Sequence, residues 1–265
     1  MIIKDMEYIY LYKYLPPKAW ALKVISEQTI KFTHPKDFND PFDCIVSVEN
    51  WIVTSKIFRK NYPNEMPPSP SNSILEAQAA KNRLKQFNFF RDGYEKIGLL
   101  CLSENPLNIL MWSHYSKNHT GFVVEFKLPI EENHTNSYIW DKEKRIAGMP
   151  VKYGKDFHFL NIIPTPIDKV KSIIFSKYDI WEYEKEVRIL NEKFGILSYP
   201  SQNLVSVIAG VNICENYFKV LKNVCINTGK KLDREIKLHH ARRKKNSYCL
   251  EVPNYPKINN INSKL

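Results

Sequence analysis

The chain has 265 residues, 43% hydrophobic and 13% aromatic, with a formal net charge of +11, which suits one large domain with a real core. Its apolar residues never run the roughly 18 in a row that a membrane-crossing helix needs, and Lys4, Asp5, Glu7 and Lys13 interrupt Met1 to Tyr14 too often for a secretory signal. Five scattered cysteines (Cys44, Cys101, Cys214, Cys225 and Cys249) form no CxxC pair, which argues against a zinc site and a disulfide framework and for a reducing cytoplasm.

Tyr8 to Tyr14 is rich in strand formers and reads as a first strand. Pro16-Pro17 ends it and opens a helix at Lys18, with Ala19, Leu22 and Ile25 at helical spacing. Thr29 to Thr33 alternates as a second strand. Asp37-Phe38-Asn39-Asp40-Pro41-Phe42-Asp43 carries an Asn-Asp-Pro turn signal, and its interleaved acids and phenylalanines predict a loop that packs inward while presenting polar groups. Residues 50–96 read as an insertion, with prolines at 63, 67, 68 and 70 and a capping box from Ser73 to Glu76 that opens a polar helix.

Gly98 to Ser103 reads as a buried strand, and Asn105-Pro106 turns the chain into a short helix, Leu107 to Tyr115. Strands are expected at Phe122 to Phe126, Pro150 to Tyr153, Glu186 to Leu190 and Leu204 to Ala209. Helices are expected from Thr165-Pro166-Ile167-Asp168 and from Asn212 to Gly229. Cys101, Cys214 and Cys225 sit in apolar runs and read as core thiols. Glu235 to His240 and Ser247 to Val252 are expected to form a closing hairpin, and 254–265 a disordered tail behind a single domain of 1–253. Helices and strands do not alternate regularly and no Gly-rich phosphate loop follows a strand. The expected class is α+β with split, mostly antiparallel sheets and flanking helices.

Three places carry polar chemistry. Trp181-Glu182-Tyr183-Glu184-Lys185-Glu186-Val187-Arg188 sets three carboxylates at alternate positions, which an extended chain would project to one face. Crowded carboxylates call for a cation, a hydrogen-bond donor or a substrate among them. Met111-Trp112-Ser113-His114-Tyr115 with His119 crowds polar and aromatic groups into one helix and loop. His114 and His119 stand five apart, poor spacing for a shared metal, so no metal is assigned. Finally, Phe218 to Leu265 holds 12 Lys and Arg against 3 Asp and Glu, densest at Arg242-Arg243-Lys244-Lys245. Such a basic end suits a polyanion such as nucleic acid.

Tyr12-Lys13-Tyr14, Asp37 to Asp43, Cys101-Leu102-Ser103-Glu104, Met111 to Tyr115 with Gly121-Phe122, and Trp181 to Arg188 together resemble the ordered hallmarks of a bacterial family catalogued as a domain of unknown function, over about residues 10–210. That motif order in turn resembles the ADP-ribosyltransferase superfamily, which includes toxins that modify DNA. The resemblance implies an NAD-consuming transferase or glycohydrolase, acting as a toxin or anti-phage effector. It places Tyr12 or Tyr14 on the first strand, Ser103 on the second, Tyr115 on the following helix and Glu186 at the opening of a late strand. The usual first-strand His or Arg is replaced here by Tyr-Lys-Tyr, and Ser103 alone stands for a Ser-Thr-Ser signature.

On this reading Glu186, or else Glu184, would stabilise an oxocarbenium-like state. Tyr115, with His114 beside it, would stack on the nicotinamide. Lys13 would meet the pyrophosphate, while Tyr12, Tyr14, Ser103, Asn39 and Trp112 would help hold the NAD. The basic Arg242 to Lys245 run would hold a nucleic-acid acceptor. The alternative is a non-catalytic nucleic-acid-binding module using that same basic region. A lesser option is a nuclease whose Asp37, Asp40 and Asp43 converge on Mg²⁺ with the late glutamates.

Overall fold

The computed structural model describes residues 8–44, 92–131, 137–155 and 173–255, together with Lys81. The proline-rich loop, the Ser73–Glu76 capping box and the helix expected at Thr165 lie outside the described residues.

Strand β1 (Tyr8–Leu15) obeys the period-2 rule: Leu11 and Leu15 enter one apolar cluster, Tyr12 and Tyr14 another. Helix α1 (Ala19–Ser26) follows the proline pair from an N-cap at Lys18, and β2 (Thr29–Phe32) follows it. Strand β3 (Gly98–Ser103) leads to α2 (Ile109–Tyr115). The Asn108 side-chain oxygen starts α2 by accepting from the N–H groups of Leu110 and Met111 at 2.9 and 3.1 Å. Next come β4 (Phe122–Pro129), β5 (Tyr138–Asp141), β6 (Ile146–Pro150), β7 (Lys152–Gly154), β8 (Ser176–Tyr178), β9 (Glu186–Asn191), β10 (Gly195–Ser198) and β11 (Leu204–Ala209). Helix α3 (Glu215–Lys231), β12 (Lys237–His240), β13 (Arg242–Arg243) and β14 (Leu250–Glu251) close the chain.

The fold is α+β. Eight strands form one sheet in the order β12-β11-β4-β1-β3-β9-β6-β5, antiparallel except where β11 and β12 pair in parallel. One face buries Leu11, Leu102, Phe122, Phe126, Val187 and Ile189, with α1 and α3 packed against each other over it. The other face carries Tyr12, Tyr14, Val123 and Ile208, packed against Met111 and Trp112 of α2 and against the C-terminal segment.

The sheet opens at its centre. β1 pairs with β4 from Tyr8↔Pro129 to Leu15↔Phe122, but meets β3 at Tyr12↔Ser103 alone. Farther along β3, Thr33 bridges to Leu99. Between these two joints the Lys13 ammonium donates to the Cys101 carbonyl at 2.9 Å, satisfying an acceptor the ladder leaves open.

Several expected elements take other forms. The strand expected over Pro150 to Tyr153 is two: β6 pairs with β9, then the chain leaves the sheet after Val151 and β7 pairs in parallel with β8. The expected closing hairpin is absent, because the helical crossover through α3 returns β12 parallel to β11. A shorter hairpin instead pairs Arg242 with Glu251 and Arg243 with Leu250. Helix α3 is capped at Cys214 rather than Asn212, whose amide turns to the Asn118 carbonyl at 3.3 Å. Cys214 is therefore exposed at a helix start, not a core thiol. Asn254 and Tyr255, at the head of the expected tail, are placed, and Tyr255 is buried against Tyr12.

Candidate functional site

The opening in the sheet leads into a cleft of about 510 Å³. Its walls come from β1 (Tyr12, Lys13, Tyr14), from the 34–43 loop (Asp37, Phe38, Asn39, Asp43) and from β3 (Cys101, Ser103). Met111, His114 and Tyr115 of α2 close one side, and Lys177, Trp181, Glu184 and Glu186 form the other.

The acidic run does not lie in an extended chain, so its three carboxylates do not share a face. Asp179–Glu184 is a 3₁₀ helix and Lys185 takes a left-handed conformation at φ 42°. This kink turns Glu182 to solvent, where it pairs with Lys185 at 3.0 Å. It also brings Glu184 and Glu186 together inward, 3% and 4% exposed. From Glu186 onward the strand period holds: Val187 and Ile189 enter the core, and Glu186 and Arg188 face the cleft side.

Five buried ionic groups meet there. The Arg188 guanidinium, fully buried, donates to Asp43 through Nη1 and Nη2 at 2.9 and 2.5 Å, and to Glu186 through Nε and Nη2 at 2.8 and 3.1 Å. Its Nη1 also reaches the Ile174 carbonyl at 2.6 Å. The planar fork matches carboxylate geometry as a lysine ammonium would not. Lys177 donates to Glu184 at 2.6 Å and to Glu186 at 3.1 Å, and lies 3.8 Å from Asp43. Three carboxylates against two cations leave one negative charge in excess.

Burial alone would raise the Glu186 pKa, but Arg188 and then Lys177 outweigh it and hold the carboxyl well below the usual range. Burial would lower the Lys177 pKa, yet Glu186 and Glu184 push it above its ordinary value. Both groups are locked in their charged forms.

The two inward glutamates differ in what they have left to give. Glu186 accepts from two Arg188 nitrogens and from Lys177. Its backbone N–H is also fixed, donating to the Tyr153 hydroxyl at 2.8 Å. Glu184 accepts from Lys177 and, at 2.6 Å, from the Tyr115 hydroxyl. A carboxylate offers about four acceptor sites, so Glu184 retains more capacity for a ligand. The Ser103 hydroxyl donates to the Glu184 carbonyl at 2.6 Å and anchors the 3₁₀ helix to β3.

The structure gathers Tyr12, Lys13, Tyr14, Asn39, Ser103, His114, Tyr115, Glu184 and Glu186 around this one cleft. Trp112 stands apart: it is fully buried behind the wall, edge-on to Tyr14, with its indole N–H on the Pro106 carbonyl at 2.9 Å. His119 folds back to stack on Trp112 and does not line the cleft. Arg242, Arg243, Lys244 and Lys245 lie on the exposed hairpin.

Lys177 and Tyr153, delivered by the parallel β7–β8 pair, and the pairing of Arg188 with Asp43 across 145 positions are not legible in the sequence. A lone lysine in Ser-Lys-Tyr carries no local signal. Among the described residues no group of three or more His, Cys, Asp or Glu is disposed to hold a metal ion. Asp43, offered as a Mg²⁺ ligand, instead serves Arg188, and Asp40 accepts from the Phe42 N–H at 2.9 Å. Among these residues no helix is long and apolar enough to cross a membrane.

Residues 111–189 match the model of a family described as a protein of unknown function (DUF2971). The match begins at Met111 in α2 and ends at Ile189 in β9, so it spans Tyr115, Lys177, Glu184, Glu186 and Arg188 but neither β1 nor the basic hairpin. No curated protein and no solved structure matches the chain. The matched segment, similar to a domain of unknown function, carries Lys177, Glu184, Glu186 and Arg188 of the ionic cluster.

Proposed function

We propose that the cleft binds NAD and breaks its nicotinamide–ribose bond, passing the ADP-ribosyl group to an acceptor or to water. The observation that carries this reading is the buried cluster with one excess negative charge at the cleft wall, where among the described residues the Glu184 carboxylate holds Lys177 and Tyr115. When the C1–N bond breaks, its electron pair leaves with nicotinamide, which departs neutral. The ribose is left as an oxocarbenium-like cation. A fixed carboxylate in a water-poor site stabilises that charge with little reorganisation.

Glu184 is the better group to face the sugar, since Arg188 and Lys177 already engage Glu186. Glu186 then acts as a positioning residue, holding Lys177 in place. Tyr115 orients Glu184 and offers its ring to the nicotinamide. Lys13 uses one of its three N–H donors on Cys101, which leaves two for the pyrophosphate. An enzyme that consumes NAD in this way would suit a toxin or an anti-phage effector.

The test is free nicotinamide released from NAD by purified protein. Wild type is expected to release it, and Glu184→Gln to lose roughly 100- to 1000-fold in turnover, the scale of one lost electrostatic stabiliser. No release by folded wild-type protein, with or without an acceptor, would overturn the reading.

A further inference from the structure

The C-terminal hairpin has two features its own fold does not require. Arg242, Arg243, Lys244 and Lys245 are all exposed, and none has an ion pair with a described residue. At its tip Tyr248 is 96% exposed. The hairpin is nevertheless firmly placed. Arg242 pairs with Glu251 and Arg243 with Leu250, and Lys244 N–H donates to the Cys249 carbonyl at 3.0 Å. Asn246 turns the tip at φ 54°, a conformation Asn tolerates. At its base Ala241, Leu250 and Val252 are buried in the same cluster as Tyr12, Tyr14 and Met111, which line the cleft. The basic ribbon and the cleft therefore share one face of the sheet.

We propose that this hairpin is a docking site for single-stranded nucleic acid, with the Arg242 to Lys245 cations on the phosphates and Tyr248 stacked on an unpaired base. Four exposed cations on one short ribbon, against the single carboxylate of Glu251, suit a polyanion. The exposed ring of Tyr248 is free to stack on a flat apolar partner. Bases offer such a face when unstacked, as in a single strand, and not inside a duplex. An anionic bilayer is the poorer fit, because Asn246 and Ser247 beside the ring leave little apolar surface to insert. Binding itself does not depend on the NAD reading. Only the further role of the strand, as the acceptor of an ADP-ribosyl group, rests on it.

The experiment measures anisotropy of a labelled 12-nucleotide oligo(dT) and oligo(U), and of a duplex of equal length, across a salt series. Sedimentation with phosphatidylserine vesicles runs in parallel. Wild type is expected to bind the single strands more tightly than the duplex. Tyr248→Ala should weaken single-strand binding roughly 10-fold, the scale of one lost stack. Replacing all four basic residues by Gln should flatten the slope of log K against log salt by about 3, near 0.7 per phosphate contact.

Equal duplex affinity that Tyr248→Ala leaves unchanged would overturn the assignment, as would vesicle binding without oligonucleotide binding. Nicotinamide release by the wild-type protein is assayed separately. Oligonucleotide binding without release retains the docking site and removes only the reaction, whereas release without binding removes the docking site.

Discussion

Arg188 binds Asp43, Glu186 and the Ile174 carbonyl at once from a fully buried position. Removing one partner of a buried pair leaves uncompensated charge, at a cost of about 3–5 kcal/mol. Arg188→Met is therefore expected to lower unfolding stability by about that amount in urea titrations; a loss below 1 kcal/mol would contradict the described pairing. The same cluster sets a pH dependence. Because the folded Glu186 pKa lies below its ordinary 4.5, the unfolded chain takes up a proton first as pH falls. Its stability contribution is complete above 4.5 and shrinks below it. Lys177, raised above its ordinary 10.5, contributes fully below that value and loses its share as pH rises through the folded pKa. The stability gap between wild type and Glu186→Gln should thus narrow as pH falls below 4.5. A gap that widened there would reverse the sign of the argument.

Elements bring these residues together, and here the sequence was only partly legible. Strand-forming composition and apolar runs locate β1, β3 and β11 within a residue of their ends, and Leu11, Leu15, Leu100, Leu102 and Val207 pack on one face. The acidic run misled for a physical reason. Alternation suggests extension, but tertiary pairing of Glu184 and Glu186 with Lys177 favours a 3₁₀ turn and a left-handed Lys185. Strand β5 and all of β6 before Pro150 are not legible, because Tyr138–Asp141 and Ile146–Pro150 are short and lack clear alternation. Close approach of elements gives another prediction. A Cβ at Gly121 would lie 2.0 Å from the Leu15 carbonyl oxygen, a backbone atom that cannot step aside. Gly121→Ala is expected to force β4 from the end of β1 and lower the thermal midpoint by several degrees, since about 1 kcal/mol shifts it by roughly 2–4 °C in a domain of this size. An unchanged midpoint would contradict that packing.

At the scale of the molecule, one sheet presents two kinds of chemistry on one face. A net-negative cluster lies inside the central opening, and a basic ribbon stands on a shared apolar base. The overall charge of +11 and its C-terminal concentration were readable directly, and so was the α+β class. What composition could not convey was proximity: Asp43 and Arg188 are distant in sequence, and only the folded sheet makes them partners. If Glu184 faces the sugar of a bound NAD, as proposed, nicotinamide release depends on its carboxylate. The most direct measurement is nicotinamide release by wild type, Glu184→Gln and Tyr115→Phe, each first shown to be folded. Wild type is expected to release nicotinamide, with near-complete loss in Glu184→Gln and a smaller loss in Tyr115→Phe. Equal release by wild type and folded Glu184→Gln, or none from wild type, would contradict it.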